Sequence, residues 1–221
     1  MKLAVSTCIV FIFLSSPTFA CYKAELSDEE NFDTCNELAQ QDDTKAQYNL
    51  AMMYRTGDGV DQDYQQAFYW YQQAADAGVA KAQYNLALMH HRGIGTDRSV
   101  EKALQWYLVA AEQGHLKSQF NLGLMYHKGD GVQRDYVEAV VWYSKAAKAG
   151  HNNARYNLAV MYDQGLGVEQ DYAVAYTLWK MAADNDHELA GLNIKSLSEV
   201  ITEEQLQQVD ELTKQWMVVE E

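Results

Sequence analysis

The sequence predicts an all-α fold: a right-handed α-solenoid of antiparallel helix pairs. Two observations carry this expectation. Ala-Gln-Tyr-Asn-Leu-Ala at 46–51 returns at 82–87, then as Ser-Gln-Phe-Asn-Leu-Gly at 118–123 and as Ala-Arg-Tyr-Asn-Leu-Ala at 154–159, 36 residues on each time. Within each period the apolar residues recur at three-and-four spacing and are punctuated by glycines, the pattern of two amphipathic helices and two turns. A unit of that size buries its apolar side only against its neighbours, so the copies must stack along an axis.

Taken in order, residues 1–20 carry Lys2, an apolar run from Leu3 to Leu14 and a Thr18-Phe19-Ala20 ending, the layout of a secretory signal cleaved after Ala20. Residues 21–45 form an N-terminal half-repeat, with 28–42 reading as a lone second helix: Phe32 and Ala39 lie one period before Phe68 and Ala75. Repeat one spans 46–81, repeat two 82–117, repeat three 118–153 and repeat four 154–189.

In repeat one, Ala46, Leu50, Ala51 and Tyr54 mark helix A, which Gly57-Asp58-Gly59 ends. Asp63 caps helix B, along which Tyr64, Ala67, Trp70, Tyr71, Ala74 and Ala75 make an apolar face, and Gly78 ends it. The cap recurs as Ser99, Asp135 and Asp171, and Asp135 with Glu138 reads as a capping box. Small Ala51, Ala87, Gly123 and Ala159 let the two helices approach, and the tryptophans 70, 106, 142 and 179 supply core area. Residues 190–221 hold a restarted helix A and a last helix opened by Thr202 and Gln205, with Leu206, Val209, Leu212 and Trp216 on one face; it should cap the array. The count is roughly eleven helices. Two positions break the pattern: Asp186 stands where 78, 114 and 150 are glycine, and the aromatic pair 142–143 becomes Leu178-Trp179.

Composition narrows the function classes. A formal net charge of −14 opposes binding to nucleic acid, whose affinity for proteins comes largely from Lys and Arg neutralising phosphates. Beyond the signal, no apolar stretch approaches the roughly 20 residues of a membrane span. The exported chain is therefore expected in the periplasm or secreted. Once Cys8 leaves with the signal, Cys21 and Cys35 remain. They can pair as a disulfide in an oxidising compartment. Alternatively Cys21, directly after the cleavage site, carries a lipid anchor, and Cys35 is a small core residue.

The Leu-Ala or Leu-Gly centre of helix A, the Gly-x-Gly loop, the Asp-Tyr start of helix B and the Trp-Tyr-x-x-Ala-Ala run near its end resemble the Sel1-like repeat family, a branch of tetratricopeptide-like solenoids. The resemblance covers about 46–189. It implies a non-catalytic scaffold for protein partners, with bacterial envelope or host-interaction roles. Ordinary tetratricopeptide units are two residues shorter and carry a proline after helix B, whereas Pro17 in the signal is the sole proline here.

Candidate chemistry is sparse. His115, His151 and His187 share one repeat position and would lie a helix spacing apart, too far for one metal ion, and His90 and His91 point about 100° apart on a helix. No cofactor motif is present. Some cysteine-rich members of the family are labelled β-lactam-hydrolysing, and Ser99-Val100-Glu101-Lys102 matches the letters of a Ser-x-x-Lys nucleophile, but Ser99 occupies the cap position. A cell-wall amide hydrolase and a glycan-binding module stand as the alternative functions.

The sharper candidate is the face of helix A turned from helix B, which lines the concave groove in tetratricopeptide-like arrays. It reads Lys45, Asn49, Met52, Thr56; then Lys81, Asn85, Leu88, Arg92; then Lys117, Asn121, Leu124, Lys128; then Asn153, Asn157, Val160, Gln164. Cations gathered there in an acidic chain, beside carboxamides that both donate and accept, suit an extended or acidic-tailed segment of a protein partner. The competing reading is that Asn49, Asn85, Asn121 and Asn157 tie neighbouring helices together. Tyr48, Tyr84, Phe120 and Tyr156 flank the stripe and read as packing between repeats.

Overall fold

A computed structural model of the protein describes residues 21–23 and 25–217; the expected signal lies outside them. Among the described residues there are eleven α-helices and no strand: α1 (Asp28–Ala39), α2 (Thr44–Thr56), α3 (Tyr64–Asp76), α4 (Ala80–Arg92), α5 (Val100–Glu112), α6 (Leu116–Lys128), α7 (Tyr136–Lys148), α8 (Asn152–Gln164), α9 (Tyr172–Ala183), α10 (Glu188–Leu197) and α11 (Glu203–Met217). From α2 to α9 the even-numbered helices are the A helices and the odd-numbered ones the B helices, each packed on the helix before and after it. Helices α6 and α8 also touch directly, so the A layer is the inner one.

The core is a run of small and large side chains in register. Leu50, Leu86, Leu122 and Leu158 are fully buried at one A position, and Tyr71, Tyr107 and Tyr143 at one B position. Burying such a leucine contributes roughly 1.5–3 kcal/mol. The small A position works as expected: a Cβ on Gly123 would run into the Tyr143 ring. Among the described residues no helix is long and apolar enough to cross a membrane.

The B helices start at their caps. Asp63 accepts from the amides of Gln65 and Gln66, Ser99 from Lys102, Asp135 from Val137 and Glu138, and Asp171 from Ala173 and Val174. The capping box expected at Asp135 is only half made, because the Asp135 N–H already donates to the Tyr126 carbonyl at 3.0 Å and does not need Glu138. The full box sits at Ser27 and Glu30, at the start of α1, and the expected one at Thr202 and Gln205 is complete.

Turn geometry sets the repeat spacing. The second glycine of each Gly-x-Gly loop rests on the first turn of the preceding B helix: a Cβ at Gly95, where φ is +70°, would overlap the Tyr64 carbonyl. Asp186 adopts φ 63°, the left-handed conformation of the glycines it replaces, and Asp42, one full period before Gly78, does the same at 62°. The backbone at that turn is therefore unchanged in the fourth unit.

At the start of the array Cys21 and Cys35 form a disulfide with S–S 2.05 Å. The bond occupies the Cys21 sulfur that a thioether lipid would need, which removes the lipid-anchor alternative for this form. The segment it holds is tied to α1, because buried Asn31 accepts from the N–H and donates to the carbonyl of Lys23. At the other end α11 lies against α9 and touches α7. It covers the outer face of the last B helix: Ala173 and Thr177 are 1% and 0% exposed, whereas their counterparts one repeat earlier, Val137 and Val141, are 59% and 40% exposed. Helix α10 keeps an open edge, with Leu189 and Leu192 at 54% and 65%.

Candidate functional site: the inner groove

The A helices place the stripe on the inner surface. Lys45, Lys81, Lys117, Arg92 and Lys128 are exposed, and Asn49, Asn85, Asn121 and Asn157 are half-buried between them. Three hollows follow this face. One of about 550 Å³ is lined by Lys81, Asn85, Lys117, Tyr84 and His115, among others. A second, about 280 Å³, holds Arg92, Asn121, Lys128 and Leu124. The third, about 270 Å³, shares Asn85 and Arg92 with its neighbours and adds Arg55. Six of the nine stripe residues are thus brought together over α4 and α6. Lys45 and Asn49 lie apart, the latter with its Nδ2 3.3 Å from the Cys21 sulfur, and Asn157 faces Tyr143.

None of the five stripe cations has a carboxylate within ion-pair distance among the described residues; the nearby pair is His91 with Asp130 at 2.8 Å. Burial raises the Tyr84 and Tyr107 hydroxyls, Tyr107 the more strongly, and Asn121 beside both acts in the opposite direction, as does the Arg92 charge. The Tyr107 hydroxyl is buried without completing a hydrogen bond. Asn85 donates to the Lys81 carbonyl of its own helix. Asn49 and Asn85 are thus engaged within the array, Asn121 and Asn157 lie beside buried tyrosine hydroxyls, and the exposed cations are the groups left for a ligand.

The aromatic rows do pack between repeats. Phe120 and Tyr156 stack on His151 and His187, and Tyr84 lies tilted against His115, with ring centroids 4.6, 4.4 and 4.8 Å apart. His115 and His151 also cap the next A helix, their Nδ1 atoms accepting from Ser118 N and Ala154 N at 3.3 and 3.2 Å. Burial first, and Lys117 second, hold both imidazoles below the ordinary histidine range; Lys81 adds to this at His115. No group of His, Cys, Asp or Glu suited to a metal ion occurs among the described residues. Ser99 is a cap in geometry too, its hydroxyl donating to Glu101 at 3.1 Å.

One recurring contact was not singled out in the sequence. Gln47, Gln83 and Gln119 reach from an A helix to the carbonyl of Ala39, Ala75 and Ala111 at the end of the preceding B helix, and Arg155 does so to Ala147. The signal was present in the second residue of the repeated hexapeptide: a long polar side chain next to a small buried residue in every copy, Ala46, Ala82, Ser118 or Ala154.

Four Sel1 repeats match this chain, at residues 44–79, 80–115, 116–151 and 152–187. A protective antigen of uropathogenic Escherichia coli strains, displaying an SLR fold, is similar at 35% identity and a TM-score of 0.75 over 85% of this chain. The chain spans 40% of that antigen's length. A Sel1 repeat protein from Oxalobacter formigenes is 30% identical with a TM-score of 0.73, over 85% of this chain and 77% of its own. No curated protein matches the sequence. With four tandem copies filling the stacked helix pairs, the chain belongs to the Sel1 repeat family.

Proposed function

We propose that the protein is an exported, non-catalytic scaffold that holds an extended, acidic segment of a protein partner along its inner groove. The observation that carries this is the row of unpaired cations, Lys81, Arg92, Lys117 and Lys128, lining adjoining hollows in a chain of net charge −14. Asp130, in the hollow of Arg92 and Lys128, pairs with His91, and the stripe cations, with no carboxylate within ion-pair distance among the described residues, attract acidic partners and disfavour basic ones. Export is supported by the apolar stretch over residues 3–14 and by the Cys21–Cys35 disulfide, which suits an oxidising compartment. The E. coli relative's description as a protective antigen agrees with that placement.

The test uses a fluorescein-labelled peptide with four glutamates in a Gly/Ser background. Binding should weaken as salt rises. Lys81→Glu with Lys117→Glu should reduce affinity at least tenfold, with the melting temperature within about 2 °C of the parent because both side chains are exposed. Equal binding by the parent and the double variant would remove the groove as the docking site.

A further inference from the structure

The fourth unit changes character where the groove ends. The last turn of helix A carries Arg55, His91 and His127 in units one to three and Asp163 in unit four; the equivalent position of the closing half-unit, just past the end of α10, is Glu199. The B-helix partner of that position changes with it, from Tyr71, Tyr107 and Tyr143 to Trp179. Arg55 Nε donates to the Tyr71 hydroxyl at 3.4 Å, and His127 Nδ1 lies 3.3 Å from that of Tyr143. In unit four the phenol is gone and the basic group has become a carboxylate.

These substitutions meet in a hollow of about 490 Å³ between α8, α9 and α10. Asp163 and Glu199 both line it, with Asn193 and Ser196, and no Lys or Arg is among the lining residues. Val160, Leu197 and Val200 give it apolar walls. Trp179 lines it as well; it is 3% exposed, and its indole N–H is buried with no hydrogen-bond partner. Burial raises the Asp163 carboxyl above its usual range. A buried donor without an acceptor is disfavoured, and so is a desolvated carboxylate without a cation. A ligand bringing a cation, an apolar stem and an acceptor relieves both.

We infer that this hollow receives a lysine or arginine side chain of the bound segment, Asp163 and Glu199 pairing with its cation while Val160, Leu197 and Val200 cover its stem. The Trp179 N–H donates to an oxygen of the same residue. The inference rests on the groove reading, and it gives the partner segment a direction: acidic over α4 and α6, basic where it reaches α8 and α10. Neighbouring A helices lie about 10 Å apart, so the two regions are separated by roughly three to six extended residues.

The test follows the indole N–H resonances of the protein by NMR, with Trp179→Phe used to assign that of Trp179. Acetyl-lysine methylamide should shift the Trp179 resonance, and acetyl-norleucine methylamide, which keeps the four-carbon stem but lacks the ammonium group, should bind at least tenfold more weakly. Asp163→Asn with Glu199→Gln should weaken the lysine probe at least tenfold and leave the glutamate peptide unaffected. Lys81→Glu with Lys117→Glu should do the reverse, so the pocket and the groove fail separately. Equal response to the two probes, an unmoved Trp179 resonance, or undiminished lysine binding by the Asp163/Glu199 variant would overturn the inference.

Discussion

At Asp186 a single residue shows how tightly the repeat dictates conformation. The side chain is not glycine, yet φ is 63°, because the turn between α9 and α10 must deliver the next A helix in register. Left-handed backbone costs an L-residue about 1–2 kcal/mol, less for Asp, and glycine loses part of the gain through its greater freedom in the unfolded chain. Asp186→Gly should therefore stabilise the protein by about 0.5–1 kcal/mol, read as a shift of the urea midpoint at constant slope. The sequence showed the departure at this position but not its outcome, since chemistry alone does not reveal whether a turn has bent to suit its residue. The buried glutamines were missed for a related reason: Gln83 in isolation reads as a surface side chain, and only the placed Ala75 carbonyl gives it a partner.

Helices and their caps were the most legible elements, because three-and-four spacing, Asp or Ser starts and glycine ends all act locally. The histidine caps of α6 and α8 were not legible in this way. They depend on Nδ1 being unprotonated at a helix N-terminus, beside Lys117, with the ring packed against Tyr84 or Phe120. Because both imidazoles titrate below their unfolded value, the folded state binds fewer protons than the unfolded one as the pH falls below about 6.5. Stability from these caps is complete above that value and is lost as the pH drops through the folded values. His90 and His127, also held low first by burial, act in the same direction. The melting temperature should fall between pH 7 and 5, and His115→Asn with His151→Asn, which keeps a capping side chain, should flatten that fall. An unchanged slope in the double variant would assign the pH response to other groups.

For the whole molecule, periodicity was enough to expect an array, while its two ends and its outer face depended on contacts far apart in sequence. Helix α11 was expected as a cap from its apolar face, but its seat on α9 rather than on α10 became visible only in three dimensions. The acidic turn of the groove was likewise hidden, since Asp163 and Glu199 are neighbours only once α8 and α10 lie side by side. The disulfide closes a 14-residue separation and should contribute roughly 3 kcal/mol by restricting the unfolded chain. Native-state hydrogen exchange should be slowest around α4 to α8 and fastest in α10 and α11, with α1 joining the fast group on reduction. Slow exchange throughout α10 would contradict this ordering.

The molecule therefore has a riveted end and a fraying end. Its A helices share one wall, so whatever settles between α8 and α10 would pin the part most ready to peel away. Grip at that end would tighten the rod as a whole, and release would return it to its looser state.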